Sequence, residues 1–581
     1  MNFILRYCKT IKYQFLFVFT IKAVAAFVEL LIPYVLEKLI DDVVLTGSIA
    51  LVLLWGFIMI GLAILVRFSN MFANRRAVGN ATKIIKDIRR DLFNVTMNLS
   101  GEVFDEFGLP SLTSRMTTDS YNVQNFVRMF QTMGIRAPML LIGGISLTLI
   151  MDTGLAMILC IIVPIMIALV VFISFRGIPL YSNVQKKMDD IVRVMRENIT
   201  GVRVVKALSK EESEKRRFYA TNEEMTKTDM KASIVMSLPG PVMQLFLNGG
   251  LTLVVYIGAK RVNEGVTQPG VILAFLTYFN MILFGVMGLN RIFMMMSKAN
   301  ASANRISTAV DARQSLEVIP PEDGNKTDRA GHVVFEHVSF GYAKAKEDEI
   351  VTGGQRQLAV NDIDFSIKKG GSLGIIGATG CGKTTIFNLL MRFYDATKGG
   401  IFIDGRDVRT FDKDELHSMF GTVFQNDVIL TGTIRDNIIF GRDVSEEDIE
   451  NAAKYAGAYE FISKYPDGFD HEVTKLGTNL SGGQKQRILI ARALIGKPEI
   501  LILDDASSAL DYKTDAQVRK SINDNYGNTT QLIVAQRISS IMHCDEILVL
   551  EEGRIIARGT HDELLASSKE YKAIYDTQMG E

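Results

Sequence analysis

The chain has 581 residues, enough for three or four average domains, and 48% of them are hydrophobic, more than a soluble protein of this size needs. Lysine plus arginine and aspartate plus glutamate number 64 each, so the net charge is zero and the global basic footprint of a nucleic-acid binder is excluded. The four cysteines (Cys8, Cys160, Cys381, Cys544) are scattered without metal-ligand spacing, which excludes a disulfide framework and fits a reducing compartment.

Arg6, Lys9 and Lys12 precede a long apolar run with no small-residue cleavage site. The start therefore reads as a retained membrane span rather than a signal peptide. That segment, 13–36, is interrupted only by Lys22 and Glu29. Five further windows, 48–66, 137–151, 154–175, 234–259 and 265–290, contain no Asp, Glu, Lys or Arg. A bilayer core takes about 20 apolar residues per helix; the window at 137–151 reaches that length by extending back through Arg136 to Phe130. Six spans result. Short connections alternate with two long ones, 67–128 and 176–233, both rich in Lys and Arg. Basic loops stay cytoplasmic. Both termini and both long loops are therefore expected in the cytosol, with the spans running on into it as long helices. The expected setting is the cytoplasmic membrane, crossed several times and bathed by the lipid bilayer.

Residues 311–330 are polar and contain Pro320-Pro321, the composition of a linker. From Val333 onwards short apolar strands alternate with glycine turns and amphipathic helices. The expected fold is thus multi-domain: a six-helix α-helical transmembrane domain (1–310), a linker (311–330) and an α/β P-loop nucleotide-binding domain (331–581).

Gly377-Ala378-Thr379-Gly380-Cys381-Gly382-Lys383-Thr384 follows an apolar strand and opens a helix at Thr385. The context is that of a phosphate-binding loop. Its glycines let backbone N–H groups converge on phosphate oxygens, Lys383 adds a point charge, and Thr384 offers a hydroxyl to Mg²⁺. Ile500 to Leu503 lead into Asp504-Asp505, a buried strand delivering carboxylates to its carboxyl end. Asp504 suits Mg²⁺, and Asp505 stands where an acid orients an attacking water. Ser481-Gly482-Gly483-Gln484 starts another helix and makes a second anion site.

The order from the phosphate loop through Gln425, Leu480–Gln484 and Ile500–Asp504 to Ser508-Ala509-Leu510-Asp511 resembles an ATP-binding cassette (ABC). Tyr342 matches the aromatic residue that stacks on adenine in that family. Six spans followed by one cassette resemble a half-transporter of the multidrug-exporter type. Leu112–Asp119 and Glu197–Lys206 resemble intracellular segments that couple spans to cassettes. The resemblance implies two chains sandwiching two ATP molecules, each held between the phosphate loop of one chain and the signature, here Ser481 to Gln484, of the other. It also implies that Gln425 reaches Mg²⁺ and the attacking water.

Two residues depart from the family pattern. The usual glutamate after the Walker B aspartate is Asp505, one methylene shorter, which moves the carboxylate by about 1.5 Å where a general base needs hydrogen-bond reach. The usual histidine that holds the γ-phosphate is Gln536, which hydrogen-bonds but never carries charge; the nearest histidine, His543, lies outside the motif. Together they imply an ATP site that binds but turns over slowly. The implied partner is a second half-transporter with a full Walker B glutamate and switch histidine. The alternative is a homodimer with a slow Asp505 base.

In the spans, Lys22 and Glu29 share a helical face, and Glu29 and Arg136 are expected at a water-filled cavity. Lys22 is expected to snorkel to the interface, and Arg291 to sit where its helix enters the cytosol. Phe279 and Phe284, in a Met- and aromatic-rich sixth span, are candidates for contacts with a small hydrophobic or amphiphilic substrate. The functional expectation is ATP-driven efflux of such compounds. The alternatives are a lipid or peptide exporter, an importer on the same fold, or an ATP-gated channel. The stretch 344–357 reads as a surface loop without an assigned role.

Overall fold

The computed structural model describes residues 1–312, 316–320, 330–342 and 358–579. The loop expected at 344–357 and most of the linker at 311–330 lie outside the described residues. The chain divides into two compact units: Met1–Thr96 with Pro110–Asp311, and Met97–Leu109 with Ala312–Glu581.

The first unit is all helix. A short amphipathic helix, α1 (Asn2–Thr10), buries Phe3, Ile4 and Tyr7. It is followed by α2 (Lys12–Lys38) and α3 (Ile49–Met97). At 1.5 Å per residue α3 is about 74 Å long, far more than a bilayer needs, so it runs on past the membrane. Its buried residues begin only at Ala73. The apolar first half, with Leu53, Leu54 and Phe57 exposed, is a surface for lipid. Between the units' segments lies α4 (Gly101–Phe107), which belongs to the second unit. The first unit resumes with α5 (Leu109–Ser114), α6 (Ser120–Met133), α7 (Arg136–Met151), α8 (Thr153–Thr200), α9 (Val202–Ala207), α10 (Glu211–Ser237), α11 (Pro239–Asn263) and α12 (Pro269–Val310). Among the described residues six helical stretches are long and apolar enough to cross a membrane.

The third span extends back through Phe130 as expected, within the helical stretch Leu109–Met151. A single turn at Gly134-Ile135, both in right-handed helical conformation, separates α6 from α7. A Cβ on Gly134 would stand 2.3 Å from the Phe130 carbonyl oxygen, so only glycine fits this turn. The centre of the unit is α12, where Ala274, Phe275, Tyr278 and Phe279 are sealed from solvent. Close approach of α11 explains this: a Cβ on Gly250 would meet the Phe279 ring at 2.3 Å, the small-residue packing that membranes favour.

The second unit carries two main sheets. β1 (Val333–Phe340), β2 (Val360–Ile367), β4 (Lys398–Ile403) and β5 (Arg406–Asp407) form an antiparallel sheet in the order β2-β1-β4-β5. The other, in the order β12-β11-β3-β10-β9-β6, contains β3 (Ser372–Gly377), β6 (Phe420–Val423), β9 (Ile500–Asp504), β10 (Thr530–Val534), β11 (Glu546–Glu551) and β12 (Arg554–Gly559). Its strands are parallel except for the β11–β12 hairpin. β3 and β9 flank β10, with Val534 level with Ile375 on one side and Asp504 on the other. That register brings the ends of the phosphate-loop strand and the aspartate strand together, at the carboxyl edge where open parallel sheets bind ligands. Apolar runs such as Ile500-Leu501-Ile502 are buried on both faces, as strands of a covered parallel sheet must be.

Candidate functional site

The loop after β3 leads into α13 (Lys383–Leu390). Gly382 takes φ +100°, and a Cβ there would lie 2.5 Å from the Ala359 carbonyl oxygen. The helix start has no side-chain cap, so its first N–H groups are left for an anion. Lys383 Nζ donates to the carbonyls of Gly377 and Ala378 at 2.8 Å each, which folds the ammonium along the loop. Cys381 turns its side chain into the core.

A cleft of about 370 Å³ lies over this loop, lined by Tyr342, Thr379, Gly380, Gly382, Lys383, Thr384, Thr385, Gln425, Asp504, Asp505 and Gln536. Most of the residues singled out for nucleotide binding in cis thus face one cavity, although they come from five separate stretches of chain. The Thr384 hydroxyl donates to Asp504 Oδ2 at 3.0 Å. Asp504 is 2% exposed. Burial raises its carboxyl above the ordinary range, the neighbouring Asp505 charge adds to this, and the Thr384 bond opposes it. Thr384, Asp504 and Gln425 offer an oxygen-only donor set, which fits the hard cation Mg²⁺.

Asp505 follows the strand in a left-handed conformation, φ +52°. This costs most residues about 1–2 kcal/mol and aspartate less. Its N–H is held by the Val534 carbonyl at 2.9 Å. The Gln536 amide donates to Asp505 Oδ2 at 3.3 Å, so the two departures from the family pattern touch one another. Burial raises the Asp505 carboxyl, against the Gln536 backbone N–H and the charges of Arg537 and Lys383. His543 lines a different cavity, with Tyr512 and Cys544, and supplies nothing here.

Tyr342 is held by its hydroxyl, 3.3 Å from both Thr385 Oγ1 and Asn388 Nδ2, and edge-on by Phe340 and Tyr394. Tyr394 in turn donates to Asp105 of α4 at 2.5 Å, and the Gly101 N–H donates to the Phe393 carbonyl. Sequence reasoning singled out Leu112–Asp119 and passed over α4. Asp119 is buried within the first unit, in an ion pair with Arg305, whereas α4 packs beside the cleft's aromatic wall. Its signal is a short amphipathic stretch, Glu102-Val103-Phe104-Asp105, set off by Ser100 and Gly108. Gln578 is a second residue missed. Its amide donates to the Gln536 carbonyl at 2.7 Å and accepts the Ile538 N–H at 2.9 Å, fixing the backbone around Gln536 from the last helix.

Ser481, Gly482, Gly483 and Gln484 do not line the cleft. They start the helix Gly482–Leu494 as a capping box: Ser481 Oγ accepts the Gln484 N–H at 3.3 Å, and Gln484 Oε1 accepts the Ser481 N–H at 2.8 Å.

In the first unit, a cavity of about 590 Å³ is lined by Lys22, Glu29, Asn70, Arg128 and Arg136, among others. Arg136 grips Glu29 with two bonds, 2.7 and 3.1 Å. Lys22 does not snorkel: it is 3% exposed and donates to Asn70 at 2.8 Å, because α3 supplies a polar partner inside the bundle. Neither aromatic candidate reaches this cavity. Phe279 is packed in the helix core against Gly250, and Phe284 is 65% exposed on the outside of the bundle. Met281, between them, does line it.

Six membrane-length helices and a phosphate-loop cleft in one chain define an ATP-powered membrane transporter. Residues 15–287 match the family described as ABC transporter transmembrane region, and residues 360–508 match ABC transporter. The chain is 35% identical to the uncharacterized ABC transporter ATP-binding protein YfiB of Bacillus subtilis, over 95% of this chain and 94% of that one. It is 32% identical to the uncharacterized ABC transporter ATP-binding protein MT1311 of Mycobacterium tuberculosis, over 95% and 93%. A solved structure of a bacterial Atm1-family ABC exporter with ATP bound shares the fold, with a TM-score of 0.79 and 23% identity, covering 98% of this chain and 99% of that one. The chain belongs to the ABC transporter family: a multi-pass membrane ATPase with its ATP-binding domain after its transmembrane domain.

Proposed function

We propose that this chain is one half of a heterodimeric exporter of amphiphilic compounds in the cytoplasmic membrane, with both termini in the cytosol, and that its own ATP site is the slow one. The observation that carries this reading is the pairing of Asp505 with Gln536 in an otherwise complete phosphate cleft.

Lys383 and the uncapped start of α13 would bind the phosphates, Tyr342 would stack on adenine, and Thr384, Gln425 and Asp504 would hold Mg²⁺. Bound ATP·Mg²⁺ supplies the phosphoryl chemistry and the charge that draws two cassettes together. Asp505 would accept the proton of an attacking water, but its short side chain is already engaged by a neutral amide. Ser481–Gln484 would complete the site of a partner that carries the full glutamate and histidine. The membrane cavity supports an amphiphile as substrate: Lys22, Arg67, Arg128 and Arg136 outnumber Glu29 in its lining, favouring an anionic head over an apolar body.

The test is ATP turnover by the co-purified complex. Asp505→Glu with Gln536→His is expected to change it less than loss of the partner's glutamate does. Intact turnover without that glutamate would refute the division of labour. Substrate uptake into inside-out vesicles separates export from import, and single-channel current across a bilayer would replace the pump by a channel.

A further inference from the structure

β9 carries Asp504 into the nucleotide cleft at one end; the other end is about 13 Å away at 3.3 Å per residue. Glu499 stands just before that other end. His332, which precedes β1, and Asp404, which follows β4, meet it there. His332 is 2% exposed. Its backbone is fixed on both sides: its N–H donates to the Ile367 carbonyl at 2.6 Å, and its carbonyl accepts the Asp404 N–H at 2.8 Å. Nδ1 lies 2.7 Å from Thr530 Oγ1, a hydroxyl that also accepts the Gly370 N–H at 3.1 Å. Nε2 is sealed from solvent and has no hydrogen-bond partner among the described residues.

What faces Nε2 is a pair of carboxylate oxygens, Asp404 Oδ2 at 3.8 Å and Glu499 Oε2 at 4.0 Å. These separations are too long for a hydrogen bond. In the tautomer whose proton sits on Nδ1, towards Thr530, Nε2 turns a lone pair to the two anions, an arrangement that a cation between them would relieve. We propose that His332, Asp404 and Glu499 form a binding site for a transition-metal dication of the zinc type.

The three ligand atoms lie within 4.8 Å of one another. Zinc bonds of about 2.0–2.2 Å place neighbouring ligand atoms of a tetrahedral ion about 3.3–3.5 Å apart, so the carboxylates need to close on Nε2 by about 0.5 Å and on one another by up to about 1.4 Å. Both belong to half-exposed side chains. Their combined charge balances the dication, water takes the fourth position, and one nitrogen with two oxygens suits zinc better than magnesium. Thr530 orients the ring as outer partners of metal-bound histidines do. Lys369 Nζ, 3.6 and 3.8 Å from the same two carboxylates, is the competing cation and must swing away. An ion here would tie the antiparallel sheet, through β1 and β4, to the parallel sheet, through β9 and Thr530 of β10.

The test uses the full-length protein in detergent, stripped with chelator and free of nucleotide. It is titrated with ZnCl₂ by calorimetry and with Co²⁺ by visible absorption. We expect saturable zinc binding and a tetrahedral Co²⁺ spectrum. Asp404→Asn and Glu499→Gln should each weaken zinc binding by about tenfold or more, and Lys369→Met should tighten it; none should alter ATP binding. The exposed carboxylates keep the test valid even if His332→Ala fails to fold. No zinc binding by the parent protein, or undiminished binding in both carboxylate variants, overturns the proposal.

Discussion

Two helix starts in the second unit look alike in sequence, glycine-rich and beside a hydroxyl, and differ in structure. Helix α13 begins at Gly382 without a side-chain cap. The helix Gly482–Leu494 begins with Ser481 and Gln484 satisfying each other's backbone. The first start leaves its N–H groups to a ligand and sits over Asp504, Asp505 and Gln536 in a shared cleft. The second is already organised and lies outside that cleft. A helix end with donors to spare is open to a ligand in cis; the one with Ser481 on the surface has its first donors satisfied by its own cap.

The contrast breaks most directly at Lys383. Lys383→Ala should weaken binding of a fluorescent ATP analogue by roughly ten- to hundredfold, the value of about 1.5–3 kcal/mol for a hydrogen bond to a charged group. Unchanged affinity would mean that the cleft does not hold phosphate. At the other start, Ser481→Ala should cost about 1 kcal/mol in chemical denaturation through the lost cap, while leaving nucleotide affinity in cis unaltered and lowering turnover of the complex. Lost affinity in cis would make the two starts equivalent. Gln578→Ala removes two hydrogen bonds from the backbone around Gln536 and should destabilise the second unit by about 1 kcal/mol; a urea melt that does not shift would show the contact to be dispensable.

The smallest effect concerns pH. Burial raises Asp505, and a carboxyl with a raised pKa takes up its proton earlier as pH falls. The acid limb of turnover in this cleft should therefore lie above the ordinary aspartate value of about 3.9. Arg537→Gln removes a charge that opposes the rise and should move the limb further up. A limb that stays put would mean Asp505 takes no part in turnover.

The fold was legible wherever the signal was continuous along the chain. Charge-free windows marked the spans, and the basic loops after them became the far halves of α3 and α8. The turn at Gly134 was not legible, because the carbonyl that demands a glycine there is brought near only by the folded turn. The cleft was legible because the phosphate loop and the aspartate strand are contiguous motifs with fixed chemistry. That Phe279 and Phe284 stay out of the cavity beside Arg136 was not legible, because helical spacing does not say which face meets a neighbour; Gly250 decided it for Phe279.

The sequence by itself determined six spans, one phosphate-loop domain, and the identities of Asp505 and Gln536 at the two positions where it departs from the family pattern. Tertiary structure alone decided what those residues touch: Gln536 on Asp505, Gln578 behind it, Lys22 on Asn70, Arg136 on Glu29, and His332 before Asp404 and Glu499. The reason is physical. Motif chemistry is written between neighbours in the chain, whereas the partner of a buried charge or ring nitrogen is set by which distant segments the packing brings to within a few ångströms.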